Sequence, residues 1–409
     1  MRTGALALAL VAGTLAPSCD DRGEPANLTF TVPEGDFWKD TRPPLAPGNR
    51  ILVTNNLSDT VSVLDLDAVG SATVPEVARV PVGLIPVERE GPHHVTADAA
   101  GEFYYLGISN FVPGAGSGPH GNHGTGTADG HVIKMRVADQ LPVATLRVDR
   151  NPGDIRLTPD GQRLLVTHFD VLKIHDAFHA ELPSSAMDAR LAIIDPVAMT
   201  RLAMVTVCPA PHGVAISPDS RTVYVSCYSD EIAIVDLTAP DRPVRRLPVR
   251  PDPGEPISPR CSPYAMTISP AGDSVWVSCL IDGALLRYDV AGGAMDAGAR
   301  VILPGGALFG SFSADGATLV MPHQSADGVA FIDVATHTVL ADKTFTPAEC
   351  IAPHVVHHSD DQRHIMMVCE GDHATPGTFV VLDAATREVR SVTPLGVFPD
   401  DIAISRVPR

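Results

Sequence analysis

Sixteen histidines and seven cysteines carry the chemistry open to this 409-residue chain. Neutral imidazole nitrogens are the ligands that copper, zinc, nickel and iron take from proteins. Six histidines recur at matching places in a repeated pattern: His93, His94, His168, His212, His323 and His354. They are the candidate metal ligands. Six cysteines fall into pairs 18 or 19 residues apart, Cys208/Cys227, Cys261/Cys279 and Cys350/Cys369. Each pair brackets one local pattern, as in CPAPHGVAISPDSRTVYVSC and CSPYAMTISPAGDSVWVSC. Three pairs placed alike point to disulfides and an oxidising compartment; thiolates ligating a metal beside the histidines are the competing reading. No Cys-x-x-Cys-His sequence occurs, which excludes covalent c-type haem and leaves haem held by a histidine open.

The repeat must position these residues. Segments such as ISPDSRTVYVSCYSDEIAIVDL (216–237) and FSADGATLVMPHQSADGVAFIDVATHTV (312–339) alternate with the two-residue period of half-buried strands. Ser-Pro-Asp-Gly-like turns join them, Pro fixing φ and Gly accepting positive φ. Four strands per unit, at a period of roughly 40–55 residues, describe a β-propeller blade. First strands open near Pro92, Pro152, Pro211, Pro263, Ala307, Pro353 and Pro399. The last has no second strand after it, and RILVTNNLSDTVSVLDLD (50–67) has no first strand before it. The expected fold is all-β: a seven-bladed β-propeller of four-stranded antiparallel blades. Strands from both termini close the ring and remove the exposed sheet edge.

Slot by slot, the residue after each opening position is His93, Gly153, His212, Tyr264, Leu308, His354 and Asp400. This slot faces the central channel near one rim. The slot ending the second strand holds Asn55, Ile108, His168, Cys227, Cys279, His323 and Cys369, on the same rim. With His94, six histidines are expected at one end of one channel. Two insertions are expected over that end, 114–131 with His120, His123 and His131, and 168–179 with His175 and His179. His337, His357, His358, His364 and His373 read as ordinary surface or strand residues. Asp65, Asp195, Asp236, Asp289, Asp333 and Asp383 each end a third strand and read as turn caps. Ser217, Ser269 and Ser313 sit in turns away from the histidines and are poor nucleophiles.

Val53-Thr54-Asn55-Asn56 and the pattern around it resemble the YVTN-type β-propeller repeat of exported bacterial proteins, over residues 50–409. The resemblance implies the fold and little about function, because the family includes surface-layer proteins, uncharacterised periplasmic proteins and cofactor-carrying relatives. The histidine pattern is similar in kind to the nitrous oxide reductases, seven-bladed propellers whose channel histidines hold a multi-copper centre. His93-His94 resembles their adjacent histidine pair. Those enzymes also carry a cupredoxin domain, which this sequence does not contain, and have no need of the paired cysteines. The resemblance therefore implies a transition metal such as copper, and not the reaction.

The chain begins MRTGALALALVAGTLAPSC, one Arg before an Ala/Leu-rich stretch and small residues. Residues 1–18 read as a signal peptide, too short to span a membrane. Ala16-Pro17-Ser18-Cys19 resembles the lipobox of bacterial lipoproteins, with Ala16 where Leu is usual; the resemblance makes Cys19 the lipidated first residue and accounts for the seventh cysteine. Residues 19–47 read as a tether and 48–409 as the propeller. The lipid would hold the protein at a membrane, in the periplasm or on the outer surface of a bacterial envelope. A formal net charge of -18 argues against nucleic acid as a partner.

Three functions are consistent with these residues. The first is a non-enzymatic binder that takes a metal or small ligand in its His-lined channel. The second is an enzyme: a lactonase-like hydrolase, as some related propellers are, with His93, His212 or Glu370 as base, or a metal-dependent redox protein. The third is a scaffold whose rim captures a protein partner.

Overall fold

The structure is a computed structural model that describes residues 29–30, 44–83, 90–109 and 126–407. The signal peptide, Cys19, most of the tether, His120 and His123 lie outside the described residues. Seven antiparallel sheets form a ring, each with its first strand innermost. The first strands of blades 1 to 4 are Pro92–Ala97, Pro152–Leu157, Pro211–Ile216 and Pro263–Ile268. Blades 5 to 7 begin with Ser311–Phe312, Pro353–His358 and Pro399–Ser405. Blade 7 is shared between the termini, Pro399–Ser405 pairing with Arg50–Asn55 from Arg50 opposite Ser405 to Asn55 opposite Pro399. Thr29–Phe30, inside the stretch read as a tether, adds a fifth strand to blade 1 by pairing with Leu146 and Thr145.

Strand alternation puts one apolar face of each blade against its neighbour. Leu165, Leu191 and Ile193 of blade 2 pack on Val214, Val223 and Val225 of blade 3 in a fully apolar cluster. Corresponding clusters fill the other blade interfaces. The third-strand aspartates cap turns as their positions imply: Asp65, Asp195, Asp236, Asp333 and Asp383 each accept from a backbone N–H two or three residues on.

One local device recurs in all seven blades and sets the channel end. The residue before each opening position has positive φ: Gly91, Asn151, Ala210, Ser262, Gly306, Ala352 and Phe398. Its carbonyl accepts from the N–H of the residue just past the second strand, at 2.8–3.4 Å. Five of these residues are not glycine, and in four of them, Ala210, Ser262, Ala352 and Phe398, the side chain disfavours the left-handed turn. In six blades the register then slips between the opening residue and the strand proper. Such a bulge re-aims side chains. It brings both His93 and His94, and both Asp400 and Asp401, to full burial, although consecutive residues of a regular strand would face opposite ways.

The bulge also moves the cysteines. Cys227 pairs opposite Pro211 rather than His212. All three disulfides form, with Cα–Cα distances of 5.9, 4.7 and 5.3 Å. Thiolate ligation by these cysteines is thereby ruled out. Cys208 lies in Thr200–Pro209, the outer strand of blade 2, and Cys227 ends the second strand of blade 3, so this bond ties two blades together. Cys261 and Cys350 lie in the segments that lead into blades 4 and 6. Among the described residues no helix is long and apolar enough to cross a membrane.

Candidate metal centre

Three imidazoles meet at the closed end of the channel. One ligand nitrogen from each of His93, His94 and His212 lies within 4.8 Å of the others. The rings are 4.3, 5.5 and 5.4 Å apart, centroid to centroid, and none is exposed. His93 and His94 come from the bulge of blade 1 and His212 from that of blade 3.

An acceptor holds each ring by Nδ1. His93 Nδ1 faces Asp400 Oδ2. His94 Nδ1 is 3.0 Å from Asp401 Oδ2, and His212 Nδ1 is 3.2 Å from the carbonyl of Tyr264. A carboxylate or carbonyl on Nδ1 keeps the proton there and leaves Nε2 with its lone pair. Nε2 of His93 and Nε2 of His212 are 3.3 Å apart, close enough to share one proton or one cation. Nε2 of His94 is buried and has no hydrogen-bond partner among the described residues. Imidazoles oriented through the far nitrogen by carboxylates are how proteins present histidine to metals. The donor set fits zinc or copper.

The electrostatics of the surroundings point the same way. Asp154, Asp400 and Asp401 are buried. Arg156 bridges two of them, with Nη1 2.9 Å from Asp401 and Nε 3.1 Å from Asp154. It stands where a metal on His94, Asp154 and Asp401 would sit, and their charge holds its pKa above the ordinary value against the cost of burial. His354 lies 6.2 Å from His94, centroid to centroid, with Nδ1 2.6 Å from Asp400 Oδ1. Burial would deprotonate His354, but Asp400 and then Glu370 outweigh it and push the pKa to about 9. Burial lowers the pKa of His93, which favours the neutral ligand form. Three buried carboxylates thus face one guanidinium and one imidazolium, leaving a buried negative charge that a metal cation would offset.

His354 carries a pH dependence that can be measured. Its folded pKa lies above the unfolded value of about 6.5, so its pairing stabilises the fold fully below pH 6.5 and is lost as pH climbs towards 9. The metal-free protein is expected to lose about 3 kcal/mol across that window. Urea midpoints of parent and His354→Gln, taken from pH 6 to 9.5, check this: the variant's curve should be nearly flat.

His168 and His323, expected in this cluster, are elsewhere. His168 Nδ1 donates to the carbonyl of Arg190 at 2.6 Å, and His323 Nε2 is 2.7 Å from Asp342, on the outer strand of blade 5. Alternation explains both. In three blades the residue one earlier in the second strand carries a hydroxyl that reaches a first-strand carbonyl of the next blade: Thr54 to His93, Thr167 to His212, Ser226 to Tyr264. The terminal slot therefore turns outward, where His168, His323 and the cysteines lie. Conversely, two histidines read as ordinary come close to the channel groups. His373 Nε2 is 2.7 Å from Glu370, and burial lowers the pKa of His357 to about 4.

Phe169 closes the cluster on one side, its ring 5.0 Å from His212, and Phe309 underlies it 5.0 Å from His94. Beyond Phe309 and Arg156 the channel opens as a cavity of about 780 Å³ towards the opposite rim, walled by Val214, Met266, Val356 and Ile402.

No family model and no curated protein matches the chain. Solved structures do. The periplasmic gluconolactonase of Pseudomonas aeruginosa superposes with a TM-score of 0.64 at 16% identity, over 88% of this chain and 99% of that one. A 6-phosphogluconolactonase-like protein of Bacteroides uniformis gives 0.59 at 12%, over 88% and 100%. The dihydro-haem d1 dehydrogenase NirN gives 0.55 at 14%, over 94% and 82%. The likeness shows the propeller fold. At these identities the site must speak for itself. The sequence places Asp400 in the channel slot without a role and does not single out Asp401, Asp154 or Arg156, yet one signal is present: Pro399-Asp400-Asp401 of blade 7 takes the place of Pro92-His93-His94 of the adjoining blade 1.

Proposed function

We propose that this protein is an exported, YVTN-type propeller lipoprotein that binds a transition metal such as copper through His93, His94 and His212, with His354 beside them. The observation that carries the reading is the cluster itself: one ring nitrogen from each of three buried histidines lies within 4.8 Å of the others, and an acceptor on Nδ1 orients each ring. Asp400, Asp401 and the Tyr264 carbonyl orient the ligands, and Arg156 and His354 neutralise the carboxylates. When bound, the metal would supply Lewis acidity or a redox couple. The disulfides and the likeness to a periplasmic protein support an extracytoplasmic location; the lipid on Cys19 is inferred from sequence.

Elemental analysis of protein purified from a bacterial periplasm tests the reading. The parent should carry about one buried, slowly exchanging equivalent of metal or take it up at micromolar concentration, and His93→Gln/His212→Gln should lose that equivalent. A parent that neither holds nor takes up metal would overturn it. The hydrolytic alternative, supported by Glu370 between His354 and His373 and by the lactonase names of two neighbours, would then stand or fall on turnover of a panel of sugar lactones.

A further inference from the structure

Helix α1, Val171–His179, fills the insertion between the second and third strands of blade 2, on the rim where the three histidines lie. It is held firmly. Asp170 accepts from Lys173 N as its N-cap, Arg150 pairs with Asp170, and Ile174 and Ala177 are buried. Its exposed side carries His175, Asp176, Phe178 and His179. His175 and His179 are exposed, four residues apart on one helix face. Their rings lie side by side, with centroids 6.4 Å apart and planes within 27°. Among the described residues neither ring makes a hydrogen bond or an ion pair.

We infer that α1 carries a second transition-metal site, an exposed chelate made by His175 and His179. Two imidazoles one turn apart on a preformed helix can close on a single ion, which is the arrangement that His-x-x-x-His pairs use for zinc. Burial of Ile174 and Ala177 fixes the helix before the ion arrives, so the chelate need not supply the cost of helix formation. The protein offers two donors and leaves the remaining coordination positions to water or to an incoming ligand. Imidazole donors select late divalent ions, copper(II) most tightly, then nickel(II) and zinc(II). A formal net charge of -18 draws such cations to the surface. The site differs in kind from the buried one: it exchanges with solvent, and it stands on α1 alone.

Equilibrium dialysis of the full chain against nickel(II) is the test. The parent should show an exposed site that His175→Ala/His179→Ala loses, with affinity falling about 100-fold or more once the chelate is broken. His175→Ala alone should do nearly the same. His93→Gln/His212→Gln should keep this site, so its fate is separate from that of the buried centre. Both α1 substitutions are on the surface and should leave the thermal midpoint of the metal-free protein unchanged. Nickel should also slow amide exchange in α1 of the parent and not of the variant. Equal nickel uptake by parent and double variant, or exchange in α1 that ignores nickel, would overturn the inference.

Discussion

Replacing Asp401 with alanine should cost this propeller about 3–5 kcal/mol, more than any other single carboxylate. Asp401 has no exposed surface. It accepts from Arg156 Nη1, from the backbone N–H of Val95 and from His94 Nδ1. Its pKa lies well below the ordinary carboxylate range, because Arg156 and then His94 outweigh the burial that would raise it. Removing it leaves a part-buried guanidinium with one carboxylate, Asp154, and frees the ring of His94. It also loosens ring closure, because Asp401 lies on the terminal strand that pairs with Arg50–Asn55. The urea midpoint should fall with little change in m, and metal uptake should weaken because His94 is no longer oriented. Asp401→Asn/Arg156→Met, which removes both charges, should recover part of the stability. An Asp401→Ala protein within about 1 kcal/mol of the parent would mean that the ion network does not hold this end of the channel.

Fold and site were legible to different depths, for physical reasons. The period-two alternation, the Ser-Pro-Asp-Gly turns and the unpaired strand at each end are local signals, and they specify seven blades and the shared closure. His93, His212 and His354 follow from the same periodicity, since they share a slot that faces the channel. His168 and His323 do not follow, because the second strand ends on the opposite phase of the pleat from Thr167 and Pro322. One residue of offset sends a side chain to the other face. His94 and Asp401 depend on a bulge, and a bulge is written in the left-handed residue before it, where Ala210 or Phe398 gives no compositional hint. Arg156 was hidden for another reason. It lies three residues deeper on its strand than the opening slot, Gly153, and the charge of Asp154 and Asp401 explains a guanidinium in the channel. The spacing of the cysteines gave their pairing, but that Cys208 belongs to the preceding blade is visible only from the sheet order.

Reduction of the three disulfides should remove most of the protein's stability. Each bond closes 18 or 19 residues, which in the chain-entropy model stabilises by about 3 kcal/mol. The bonds lie in different blades with no shared partner, so their effects should nearly add, to a total of about 9 kcal/mol. A typical domain has about 5–15 kcal/mol in all. Urea unfolding followed by the emission of buried Trp276, with and without reductant, should show the midpoint falling steeply. The three bonds are not equivalent. Cys208–Cys227 sits in the apolar cluster that joins blades 2 and 3, among Val207, Val214 and Val225. Its removal as Cys208→Ala/Cys227→Ala, which avoids burying a hydroxyl, should loosen that interface and with it Ala210 and His212. This variant should therefore lose metal affinity as well as about 3 kcal/mol, whereas Cys350→Ala/Cys369→Ala should lose a similar stability and, through Glu370, disturb His354 rather than His212. If all three pairs could be reduced without moving the midpoint, the bonds would be incidental to the fold, and the argument that this chain is built for an oxidising compartment would lose its physical basis.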